Sequence, residues 1–446
     1  MRRLLLIPAL ALVLVGTPVL ALQDAAPPPV AVNEVPVAPP DETVTPGWQS
    51  ADTPVDATLV GVTWQGDPDA EFTVEAQSAD GTWSEATALD GGNEVDPGTK
   101  DEASAAAKPA HGTEPVWIGE DATAVRVTLT GDTPVVDVTV AAVDAQPAPA
   151  PEGAAGAITG VVGTISGTGR WLYGAALLVL VALLVALALG WSPWRHRRPA
   201  WIAIVGLSAL VLTACVPVAA PPASPAPPPK HGSGGGSGGG SGGSGPAKPS
   251  IRSRAQWGAR PFGCGTPDYA SSLKLAAVHH TVNSNSYSPG QTDALVRGIQ
   301  AYHMDTLGYC DIAYNFLVSR TGTVYEGRAG GVSKPVIGAH AGGFNTGSTG
   351  VALIGDYSGV QPPGDQWNAL VALLRWRLHA AGIDPSQGAT VTAGSSPCGC
   401  VKYSPGQTVT FPNAIVPHRD LDYTACPGDA FAPRMDELRA AVQAGL

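Results

Sequence analysis

The spacing of hydrophobic positions changes repeatedly along the chain, and each change marks a boundary. Residues 1–21 open with Arg2 and Arg3, run apolar over 4–15 and close on Val19-Leu20-Ala21. A basic start, a short apolar middle and small residues at the end predict a secretory signal peptide; the apolar middle is too short for a span. Residues 22–47, rich in Pro, Ala, Val and acids without period, read as a disordered tether. Over 48–145, apolar residues alternate in short runs: Val60, Val62, Trp64; Phe72, Val74, Ala76; Val125, Val127, Leu129; Val136, Val138, Val140. Period-two runs broken by Gly, Asp and Pro predict an antiparallel β-sandwich.

A different signal begins at Trp171. Residues 171–190 are uncharged and dominated by Leu, Ala and Val, near the ~20 residues that cross ~30 Å of hydrocarbon. Arg195, His196, Arg197 and Arg198 follow, and residues 201–218 are apolar again. Two spans around a basic loop predict a transmembrane hairpin with the loop inside, so that both flanking domains lie on the extracellular side of the cell membrane. The second segment ends in Leu212-Thr213-Ala214-Cys215, which resembles a lipoprotein modification site; a cysteine standing by chance in an apolar helix is the other reading. Residues 219–250 turn from Pro/Ala-rich to almost pure Gly and Ser, a flexible linker.

From 251 to 446 the pattern is mixed. Residues 275–278, 312–318 and 351–354 read as buried strands. Ser288 and Pro289 open a helix with Leu295, Ile299 and Tyr302 at helical spacing, and Trp367, Leu370, Leu374 and Leu378 line another that Gly382 closes. The expected fold class is multidomain: an N-terminal β-sandwich, a two-helix transmembrane hairpin and a C-terminal α/β domain.

Composition narrows the function. The formal net charge of −12 lacks the basic footprint that phosphate binding needs, so nucleic acid is excluded as a partner. Within 48–145 the only Lys or Arg residues are Lys100, Lys108 and Arg126, which makes that domain acidic. Six cysteines in 446 residues are too few for a disulfide scaffold.

Candidate chemistry lies in the C-terminal domain. Val278-His279-His280-Thr281 puts a histidine at a strand end, and a distant loop carries His418 and Cys426. Two imidazoles and a thiolate suit zinc and leave a fourth position open. The spacing alone also allows a structural Cys426 and a surface His418.

Further motifs bear on that choice: Arg254-Ala255-Gln256-Trp257-Gly258-Ala259, Cys310-Asp311-Ile312-Ala313-Tyr314-Asn315-Phe316, Gly338-Ala339-His340-Ala341-Gly342-Gly343-Phe344-Asn345, Ser348-Thr349-Gly350-Val351, and the loop from His418 to Gly428. With the paired histidines, these make residues 253–431 resemble the peptidoglycan recognition protein and type 2 N-acetylmuramoyl-L-alanine amidase family. The resemblance implies a central mixed sheet with flanking helices, a groove for peptidoglycan, and zinc held by His279, His418 and Cys426. It places Tyr314 beside the attacking water. Thr424 falls where phage enzymes carry Lys and many recognition-protein amidases carry Thr. It assigns His340 and Asn345 to substrate contact and pairs Cys264 with Cys310; Cys398 and Cys400 do not align. The implied activity is membrane-tethered, zinc-dependent hydrolysis of the amide between N-acetylmuramic acid and L-alanine. Two other readings stand beside it: a non-catalytic peptidoglycan receptor or anchor, and a cysteine hydrolase with Cys426 as nucleophile and His418 as base. The acidic domain resembles those that precede such amidases, where the run Gly112-Thr113-Glu114-Pro115-Val116-Trp117 recurs.

Overall fold

A computed structural model of the chain describes residues 30–92, 95–108, 111–145, 245–397 and 399–445. The signal peptide expected over 1–21, the apolar segments 171–190 and 201–218, Cys215, Cys398 and most of the linker 219–250 lie outside the described residues.

The N-terminal domain contains β1 (Ala31–Pro36), β2 (Thr53–Pro54), β3 (Leu59–Gly66), β4 (Phe72–Ser78), β5 (Thr87–Leu89), β6 (Gly91–Gly92), helix α1 (Lys100–Ala105), β7 (His111–Thr113), β8 (Val116–Trp117), β9 (Ala122–Leu129) and β10 (Val135–Asp144). One sheet runs β1-β10-β3-β7-β6 with β8 on β3, the other β2-β9-β4-β5. The alternating residues meet between them: Val60, Val62, Trp64, Phe72, Val74, Val125, Val127 and Leu129 share one core. Side chains two apart share a face, so each run contributes one apolar side to the sandwich.

Two expectations need correction here. The tether expected over 22–47 is structured from Ala31, because β1 pairs antiparallel with β10, Ala31 opposite Asp144 and Pro36 opposite Thr139. As an edge strand it is mostly exposed, and edges tolerate the Pro and acids that made it read as disordered. In β10 the register shifts between Val136 and Thr139, with Asp137 at φ 55°. This bulge turns Val135 inward in place of Val136.

The C-terminal domain contains β11 (Ile251–Arg252), α2 (Arg254–Trp257), β12 (Leu275–His280), α3 (Thr292–Asp305), β13 (Phe316–Val318), β14 (Val324–Glu326), β15 (Ser348–Leu353), α4 (Gly364–Ala380), β16 (Ala389–Thr392), β17 (Thr408–Phe411), β18 (Ile415–Pro417) and α5 (Met435–Gln443). Its main sheet is mixed, in the order β11-β14-β13-β15-β12-β18. Ser288 opens a 3₁₀ turn, Pro289–Gln291, that leads into α3, and its backbone N–H donates to Gln291 Oε1 at 2.5 Å. Helix α4 ends before Gly382 at φ 71°, a left-handed position that suits glycine. One sheet face packs on α4 and α5 through Val278, Val351, Leu353, Leu370, Leu374 and Leu438. The other packs on α3 through Leu317, Ala352, Leu295 and Ile299. The strand expected at 312–318 is shorter, beginning at Phe316, so Tyr314 lies in the loop before it.

The expected fold class is corrected as well. Among the described residues no helix is long and apolar enough to cross a membrane. The longest, α4, has 17 residues and carries Asp365, Arg375 and Arg377. The described architecture is a β domain followed by an α/β domain, without the transmembrane hairpin. The two belong to one compact unit and share a hydrophobic core, in which Leu59, Val95, Ala141, Val143 and Ala145 of the first pack with Leu295, Ile299 and Tyr302 of α3.

Candidate active site

Strand β12 lies between β15 and β18 and is buried along its whole length, so its last residues, His279 and His280, emerge at the C-terminal edge of a rigid sheet. Period two sends the two rings to opposite faces. His280 turns toward the α4 side, where its Nδ1 accepts the Tyr357 N–H at 3.2 Å. His279 turns toward the loop after β18. There His418 and Cys426 meet it, the ligating atoms of all three lying within 4.8 Å of one another and all three side chains buried.

A shell of hydrogen bonds aims these groups. His279 Nε2 lies 3.1 Å from His340 Nδ1, which leaves Nδ1 facing Cys426 Sγ at 3.8 Å. His418 Nε2 lies 3.0 Å from Asp422 Oδ2, and the His418 side chain also hydrogen-bonds with Cys426. Cys426 Sγ accepts the His280 N–H at 3.3 Å, and the Cys426 N–H donates to Thr424 Oγ1 at 3.0 Å. Partners of this kind fix ring orientation and tautomer in metal sites.

The electrostatics agree with a cation site. Burial, followed by the charges of His418, His340 and His280, holds His279 well below the usual histidine range, so it stays neutral as a ligand must. Burial pushes the Cys426 thiol up to about 11, although His418 pulls the other way. A buried thiol is a poor nucleophile at neutral pH, and an adjacent metal ion is what would deprotonate it. The donor set of two neutral imidazoles and one thiol fits zinc.

The remaining candidates fall into two positions. Tyr314 sits at the centre, its ring 5.4 Å from that of His279, and with Thr424, Cys426 and His418 it lines a small cavity. His340 and Asn345 stand behind the ligands and are fully buried. Asn345 Oδ1 accepts the His340 N–H at 2.7 Å, so Asn345 holds the ring whose Nδ1 lies beside His279. Cys264 and Cys310 form a disulfide, and Cys400 is also disulfide-bonded. His303, on α3, accepts the Ala313 N–H at Nδ1, 3.0 Å away.

Sequence reasoning missed Asp422, although its place four residues after His418 in the same loop is a readable signal. It also missed Asp90, which lines the cavity from the N-terminal domain. No local pattern marks Asp90. The available hint is that β3 and β10 are apolar on both faces, where a sheet with one solvated face would alternate.

Comparison with known proteins bears on both domains. Residues 269–429 match the family described as N-acetylmuramoyl-L-alanine amidase, and residues 23–155 match one described as Rv3811 N-terminal galactose-binding domain-like. Peptidoglycan-recognition protein SC2 of Drosophila simulans is 40% identical over 109 residues, 24% of this chain and 56% of that protein. Human peptidoglycan recognition protein 3 is 38% identical over 144 residues, 31% of this chain and 39% of that protein. The chain spans about half the length of the curated relatives it matches. The solved structure of Drosophila peptidoglycan recognition protein SD aligns with 43% of this chain and 95% of its own length, at 26% identity and a TM-score of 0.34. Over residues 269–429 the C-terminal domain thus matches the N-acetylmuramoyl-L-alanine amidase family and is similar to the peptidoglycan recognition proteins.

Proposed function

We propose that the chain is a zinc-dependent N-acetylmuramoyl-L-alanine amidase that acts on peptidoglycan. The observation that carries this reading is the convergence of His279, His418 and Cys426, three buried ligands from two distant segments. Zinc, when bound, supplies Lewis acidity that polarises a carbonyl and makes water nucleophilic near pH 7.

The chain's own groups do the rest. His279, His418 and Cys426 hold the ion, while His340 and Asp422 keep the two imidazoles turned toward it. The Tyr314 hydroxyl orients the attacking water or donates to the carbonyl oxygen as negative charge develops there, and Thr424 lines the same cavity. A donor of this kind is worth about 3 kcal/mol in acyl-transfer sites. Water adds to the lactyl carbonyl of muramic acid, the carbon–nitrogen bond breaks, and the leaving L-alanine nitrogen takes a proton. The Cys264–Cys310 disulfide suits a protein that works outside the cytoplasm, on the side where peptidoglycan lies.

The full chain should bind about one zinc, and His279→Ala and Cys426→Ala should each lose it. Prolonged digestion of purified peptidoglycan should release free L-alanine amino termini, identified by mass. Full zinc content in both variants, or zinc-loaded protein, its Asp90→Ala variant included, that retains peptidoglycan on a pull-down without releasing any ends, would overturn the amidase reading; the second result would favour the receptor.

A further inference from the structure

Residues 89–92, 95–108 and 111–117 of the N-terminal domain lie across the site. Asp96 accepts from Asn345 Nδ2 at 3.0 Å, Glu114 Oε2 lies 3.1 Å from His303 Nε2, and the carbonyls of Thr113 and Pro115 accept from Tyr302 Oη and Asn283 Nδ2. The contact is tight. A Cβ on Gly298 of α3 would stand 2.6 Å from Leu59 Cδ1 and 2.7 Å from Ala145 Cβ. Just after the paired histidines, Val282 is held at φ 53°, where a β-branched residue stays only under constraint, and it packs into the core of the N-terminal sandwich. With this cover in place His279, His418, Cys426 and Tyr314 are each 4% exposed or less, so no glycopeptide reaches them.

Asp90 is the residue of that cover nearest the chemistry. Its carboxylate lies 3.6 Å from His280 Nε2, reaches the Thr424 hydroxyl, and shares a 4.8 Å cluster with His280 and Cys426 Sγ. Among the described residues His280 Nε2 has no hydrogen-bond partner.

We propose that Asp90 is the fourth ligand of the metal held by His279, His418 and Cys426, and that the chain folded this way is latent until its N-terminal domain lifts. The inference rests on the zinc reading above. Three protein ligands leave one tetrahedral position, which a carboxylate oxygen fills as readily as water. Filled by Asp90, it excludes both water and the scissile carbonyl, and the Thr424 hydroxyl is engaged as well. Charge favours the arrangement: one thiolate and one carboxylate neutralise a divalent ion in a buried site, whereas the trio alone leaves one positive charge.

The test uses the full chain loaded with cobalt(II), whose absorption bands report the number and type of ligands. The wild type should show a four-coordinate spectrum that added azide does not change. Asp90→Asn and Asp90→Ala should shift the spectrum, make it azide-sensitive and speed metal loss to a chelator at least about tenfold, as loss of even an outer partner does. Peptidoglycan hydrolysis should rise in both. Melting temperatures and far-ultraviolet circular dichroism confirm that each variant is folded, and Asn keeps the side-chain volume. Identical spectra, identical chelation rates and a wild type that responds to azide would overturn the proposal. A His279→Ala chain that keeps its metal would instead overturn the zinc reading, so the two failures are distinct.

Discussion

Asp422 holds His418 from within the same loop, its Oδ2 3.0 Å from Nε2 with both side chains buried. The carboxylate therefore fixes the ring so that the other nitrogen faces Cys426 and His279. Removing it should lower zinc affinity by about 10–100-fold. Asp422→Ala is expected to show that loss in competition with a chromogenic chelator, and Asp422→Asn to recover part of it. Equal affinity in all three proteins would make the bond a packing contact.

Tyr314 is placed to act on substrate or water and not on the metal. Tyr314→Phe should keep its zinc and lose about 100-fold or more in kcat, with KM little changed. Zinc content, melting temperature and hydrolysis are to be measured on one preparation. A lowered melting temperature with unchanged turnover would mark a core tyrosine.

Asp96 gives a pH signature to the contact between the domains. Burial raises its carboxyl above the ordinary value, although bonds from Asn345, Thr346 and Gly343 act the other way. A carboxyl raised in the folded state binds its proton more readily there than in the unfolded chain. Its contribution to stability is thus greatest below the unfolded value of about 3.9 and is lost as pH rises through the folded one. Asp96→Asn carries no such titration. The melting temperature of the variant relative to wild type should therefore rise between pH 4 and pH 7, whatever the constant offset; a flat or falling difference would contradict this.

The Cys264–Cys310 disulfide closes a loop of 46 residues in sequence separation, and the Cys310 N–H donates to Asp101 Oδ1 of the N-terminal domain at 2.9 Å. Cys264→Ser should destabilise the C-terminal domain by about 2–4 kcal/mol. Denaturant titration with and without reductant checks this. Because the loop carries one anchor of the N-terminal domain, limited proteolysis should also release that domain faster in the variant.

The residues by themselves determined the local elements and the kind of chemistry. Period two placed Val60, Val62, Phe72 and Val74 in a sandwich, helical spacing placed Leu295, Ile299 and Leu374 on buried helix faces, and two histidines with a cysteine specified a soft divalent ion. These properties depend on neighbours within a few positions or on the intrinsic chemistry of a side chain. What only the tertiary structure decided is which groups meet. His340 became a partner of His279, Val136 ceded its inward place to Val135 at a bulge, and Glu114 met His303 across 189 positions. Asp90, in an acidic domain that carries no catalytic pattern of its own, arrived beside Cys426 because the apolar outer faces of β3 and β10 bury themselves against α3. That docking is a long-range hydrophobic event, proportional to area and indifferent to order in the chain, so no spacing along the sequence records it.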